Sequence, residues 1–114
     1  MTVSKRICCF ALALMALCWL CACDASMDDI TGAWSGSCTY KGDSFTQKLS
    51  LNLDGTYQKL VYKNGSYNGT EKGTYELNGK TVTLNPYDKT EGHTDYEYKN
   101  GALLNGYYKL HKEQ

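Results

Sequence analysis

The chain has 114 residues, with 12 basic and 12 acidic side chains, ten tyrosines, eleven glycines and a single proline. That length holds one small domain after any targeting segment, and not two. The charges balance and form no basic stripe or block, so the electrostatic footprint of a nucleic-acid binder is missing.

Lys5 and Arg6 give the N-terminus a short positive patch, and Ile7 to Ala22 form an uncharged apolar run directly after it, the pattern of an export signal. As a helix this run would span roughly 24 Å, at about 1.5 Å per residue. A hydrocarbon core is roughly 30 Å thick, which favours a cleaved signal over a permanent span. The positive end stays cytoplasmic, and the remainder of the chain is exported. The run closes on Leu20-Cys21-Ala22-Cys23. This resembles the bacterial lipobox, with Ala22 as the small residue before the cut and Cys23 as the lipid acceptor. The resemblance implies a diacylglyceryl group on Cys23, two acyl chains where a single one gives only marginal attachment. It places the mature protein outside the cytoplasm, anchored to a bacterial membrane.

Residues 1–22 are therefore expected to be a lipoprotein signal peptide, residues 23–29 a lipid-anchored acidic tether carrying Asp24, Asp28 and Asp29, and residues 30–114 a folded domain. Of the six cysteines, Cys8, Cys9, Cys18 and Cys21 leave with the signal and Cys23 carries lipid. Only Cys38 remains free, which excludes a disulfide framework within one chain. Alternating with Ser37 and Thr39, Cys38 reads as a small buried hydrophobe.

After residue 30 the apolar residues recur with period two. Trp34, Gly36, Cys38 and Tyr40 alternate with polar neighbours, as do Phe45, Leu49, Leu51 and Leu53, the pattern of half-buried strands. Further strands are predicted at 56–62, 73–77, 80–85, 93–99, 102–104 and 106–111. Turns are predicted at Asp54-Gly55, Asn64-Gly65, Asn68-Gly69, Asn78-Gly79, Asn100-Gly101 and Asn105-Gly106, because both residues of such pairs tolerate positive φ. The register of strand 56–62 stays open: one turn length points Leu60 and Tyr62 inward, another Tyr57 and Val61. The later inward sets are Tyr75 and Leu77, Val82 and Leu84, then Thr94, Tyr96 and Tyr98. The fold class is all-β: a small antiparallel up-and-down meander of about eight short strands, closed into a narrow barrel that removes its own edges.

Several short stretches then point to a family. Gly32-Ala33-Trp34 resembles the G-x-W opening of lipocalins, and Thr94-Asp95-Tyr96 their T-D-Y motif. Asp54-Gly55-Thr56-Tyr57, Gly73-Thr74-Tyr75 and Tyr107-Tyr108-Lys109 are similar to the pattern of short lipocalin-like domains in bacterial lipoproteins. The resemblance implies that Trp34 plugs one end of the barrel and that Lys109 or Lys112 packs over its ring.

Tyrosine is the strongest compositional signal. Its rings serve either as barrel packing or as an amphipathic binding surface. On the second reading Trp34, Tyr75, Tyr96 and Tyr98 are the expected ligand contacts. Glu91, His93 and Asp95 are read as solvated charges, no metal or cofactor is expected, and no nucleophile–base arrangement or phosphate loop supports an enzyme. A monomer is expected, with the membrane as one partner and a small apolar or amphipathic ligand or an envelope component as another. The alternative is a protein-binding module that inhibits a lysozyme or protease through loop 63–72 or loop 86–92.

Overall fold

The computed structural model describes residues 25–113. The expected signal peptide and the lipid-acceptor position, Cys23, lie outside the described residues. Within them the chain runs α1 (Met27–Ile30), β1 (Gly32–Tyr40), β2 (Asp43–Leu51), β3 (Thr56–Lys63), β4 (Ser66–Asn78), β5 (Thr81–Pro86), β6 (Thr94–Lys99), β7 (Ala102–Leu104) and β8 (Lys109–Lys112). Each strand pairs antiparallel with the next, and β8 returns to β1 at Trp34↔Lys112, so the sheet is a closed eight-stranded barrel.

Period-two alternation makes the core. Trp34, Leu49, Leu51, Tyr57, Tyr75, Val82, Leu84, Tyr96, Leu103 and Leu110 point inward and are buried. Burying each large apolar side chain stabilises the fold by about 1.5–3 kcal/mol. The inward sets predicted on β4, β5 and β6 are all found there. The open register resolves in favour of Tyr57, which pairs with Leu51 and is buried, with Lys59 and Val61 next on the same face.

Because the barrel is up-and-down, alternate connections share an end. The turns at Asn52–Gly55, Gly79–Lys80 and Asn100–Gly101 gather at the end that holds both termini of the described chain. This end is closed. The Trp34 indole N–H donates to the Ile30 carbonyl at 2.8 Å, and Ile30 is wholly buried. Of the two lysines expected over the Trp34 ring, it is Lys112 that lies there.

The acidic tether expected over residues 23–29 is largely part of the fold. Ala25 N–H donates to the Gly79 carbonyl at 3.2 Å, and Ala25 and Met27 pack on the core. The Ser26 N–H and hydroxyl both donate to the Asp29 carboxylate, at 2.9 and 3.1 Å. That carboxylate ties off the first turn of α1 instead of trailing in water.

Three further expectations are corrected. Leu53 leaves the apolar face of β2, which ends at Leu51, and stands 67% exposed in the turn. The loop expected over 63–72 is a tight turn at Asn64-Gly65 followed by the first half of β4. Asn68-Gly69 is no turn: a bulge opposite Val61 and Tyr62 absorbs it within the strand.

Candidate functional site

The barrel is not of uniform height. Strands β5 to β8 are short, whereas β1 to β4 run on beyond them and form a four-stranded extension on one side of the open end. Two hairpins make it, turning at Lys41-Gly42 and Asn64-Gly65 with positive φ at all four residues. They are stitched together: Asn64 N–H donates to the Ser44 carbonyl at 2.6 Å, Ser44 N–H to Asn64 Oδ1 at 2.9 Å, and Lys63 pairs with Asp43 at 3.7 Å. The loops at 87–93 and 105–108 complete the rim.

On the inner face of this extension Cys38 pairs with Phe45, one step above the pair Gly36↔Gln47. Tyr107 and Tyr108, from the β7–β8 loop, close over them. Cys38, Tyr40, Phe45, Tyr107 and Tyr108 line a pocket of about 380 Å³. Tyr40 and Tyr107 meet edge to face at 6.4 Å. Burial, together with the neighbouring Cys38 thiol, pushes the pKa of the Tyr108 hydroxyl up to about 12. The phenol is therefore a neutral donor at every physiological pH.

Beneath the pocket the interior turns polar. Gln47, 5% exposed, accepts a hydrogen bond from the Tyr96 hydroxyl on Oε1. Glu71 accepts from the Tyr57 hydroxyl at 2.6 Å and pairs with Lys59 at 3.4 Å, both charges mostly shielded from water. Burial, reinforced by Glu71, raises the pKa of Tyr57 and of Tyr96. A charge pair held this way is worth little in net stability, but removing one partner strands the other.

The chain matches no protein-family model, no curated protein and no solved structure. The geometry of the mouth therefore carries the functional argument.

Trp34, Tyr75, Tyr96 and Tyr98, the residues put forward from sequence as ligand contacts, are brought together in the barrel interior and touch protein. Trp34 and Tyr98 pack edge to face at 6.4 Å, and the Tyr75 hydroxyl donates to the Asn52 carbonyl at 2.6 Å. The exposed rings are others. Among the described residues, Tyr40, Tyr67, Tyr87 and Tyr107 are the large, solvent-facing aromatic residues, and all four stand at the open end. Only their positions next to turns signal this in the sequence.

A second, wider groove of about 650 Å³ lies where β4 outruns β5, between Glu71, Lys72, Tyr87, Asp88 and Glu91. Asp88 is already engaged by Thr90, whose hydroxyl and N–H donate to it at 2.7 and 3.0 Å and hold its carboxyl below the usual range. Asp95 accepts from the Thr83 hydroxyl at 2.7 Å, while His93 is exposed in the loop. Among the described residues no three His, Cys, Asp or Glu side chains converge as metal ligands.

Proposed function

We propose that this chain is a non-catalytic, lipid-anchored lipoprotein of a bacterial cell envelope, held through Cys23, whose lipocalin-like barrel binds a small amphipathic ligand at its mouth. One observation carries the reading: the aromatic pocket between Phe45, Tyr40 and Tyr107, placed at the end away from the Trp34 plug. The interior below it is filled by its own side chains, so a ligand rests in the mouth and is only partly enclosed. Rings offer it apolar area at small conformational cost, and the Tyr108 hydroxyl and Cys38 thiol offer polar contacts.

The test is native mass spectrometry of protein gently extracted from its own cells. A non-covalent mass on the wild type that is lost in Tyr107→Ala supports the reading. A reproducibly empty wild type that also fails to bind an apolar fluorescent probe sinks it.

A second reading has its own support. Four exposed tyrosines stand around one rim, and such rings are enriched in protein-binding surfaces. Loss of lysozyme or protease activity on titration with the barrel, reversed by Tyr67→Ser and Tyr87→Ser together, would favour an inhibitor over a ligand carrier.

A further inference from the structure

The closed end of the barrel bears on how the domain is oriented, given the proposed lipid anchor at Cys23. Ala25 is already docked, its N–H on the Gly79 carbonyl and its side chain on the core. Only Asp24 separates it from Cys23. Two residue steps reach at most about 7 Å, even fully extended. A tether this short leaves the domain no freedom to turn over.

We infer that the closed end of the barrel lies directly on the bilayer that holds the anchor, and that the aromatic mouth faces away from it. The turns that would meet the membrane are those beside Gly79. They carry Leu53, 67% exposed, and the exposed Lys80 and Lys99. Leu53 is the one large exposed apolar side chain at this end among the described residues, and it is suited to the boundary between headgroups and acyl chains. Lys80 and Lys99 reach lipid phosphates. Asp28, Asp54 and Glu113 lie at the same end, so the charges there nearly cancel. Tether length, not electrostatic attraction, sets the orientation. The Asn64-Gly65 tip then stands roughly 25 Å further out, the length of β3 at about 3.3 Å per residue. A ligand reaches the mouth from the aqueous side and is not drawn from the anchoring bilayer.

The test uses the full lipidated protein in vesicles containing nitroxide-headgroup lipid. In a Cys38→Ser background, a fluorophore is attached at Leu53→Cys or Lys99→Cys near the closed end, or at Ser66→Cys at the far tip. Quenching several-fold stronger at both closed-end sites than at the tip is expected. Ten Gly/Ser residues inserted after Asp24, a coil of roughly 17 Å, should bring the sites to near parity. Equal quenching without the insertion, or stronger quenching at the tip, overturns the orientation while leaving the anchor intact. So does a difference that survives the insertion unchanged. A mass lacking the diacylglyceryl group overturns anchor and orientation together.

Discussion

The Lys112 ammonium lies 5.7 Å from the centre of the Trp34 ring and 3.2 Å from the Asp29 carbonyl oxygen. The two residues Lys112 and Trp34 also face each other across the β1–β8 seam, so one side chain joins the plug, the N-terminal turn and the closing strand. Gly32, at φ 135°, makes room for it: a Cβ there would come within 2.8 Å of the lysine stem. Lys112→Met removes the cation–π contact and the carbonyl contacts, at a cost of about 1–2 kcal/mol. Thermal unfolding followed by circular dichroism should shift down by roughly 5–10 °C for a domain of this size. Lys112→Arg should recover most of the shift.

Barrel closure predicts a contrast among glycines. A Cβ at Gly36 would run into the Lys109 carbonyl oxygen, and one at Gly73 into the Asn85 carbonyl oxygen. Both obstacles are backbone, where β8 and β5 cross close to their neighbours. Gly36→Ala and Gly73→Ala should each cost about 2–3 kcal/mol, the upper range for overpacking. Gly69→Ala, with nothing within 4 Å, should stay within about 0.5 kcal/mol. Urea unfolding of the three variants checks this, and equal midpoints would contradict the tight crossings.

These relationships differ in how far the sequence discloses them. Alternation placed Tyr75, Val82, Leu84 and Tyr96 correctly, because the inward positions of β5, most of β6 and the second half of β4 are apolar or aromatic. It left the register of β3 open and missed the first half of β4, where the inward positions include Lys59, Gly69 and Glu71. A buried ion pair and a glycine look like loop in a pattern of hydrophobicity. Leu53 misled for the opposite reason: it continues the period of β2, but the chain turns before it. The mouth pocket joins β1 and β2 to Tyr107 and Tyr108 from a loop more than sixty residues on, and only barrel closure brings them together.

Alkaline pH should unfold the barrel. Burial raises the pKa of Tyr57, Tyr75 and Tyr96 above the ordinary 10.0, and that of Tyr108 to about 12. Above pH 10 the unfolded chain releases protons that the folded chain keeps, so stability falls as pH rises. Below pH 10 these groups contribute their full stabilisation; from there to about pH 12 and beyond it is lost. Phenolate absorbance from the buried tyrosines should jump cooperatively, together with the loss of circular dichroism. A smooth titration with no jump would mean that the buried hydroxyls are reachable without unfolding.

Cys38 offers a direct probe of the mouth, because it is half-buried, free, and set between Phe45 and Tyr108. A bulky maleimide on its sulfur would occupy the space between the rings. Labelled protein should therefore lose binding of an apolar fluorescent probe while keeping its unfolding midpoint within about 1 kcal/mol, as expected for a change at a rim and not in the core. Conversely, probe bound beforehand should slow the labelling several-fold. Cys38→Ser should take no label and bind the probe equally before and after maleimide treatment, separating a blocked pocket from reagent damage elsewhere. Unchanged probe affinity after complete labelling would move the binding surface to the wider groove beside Tyr87.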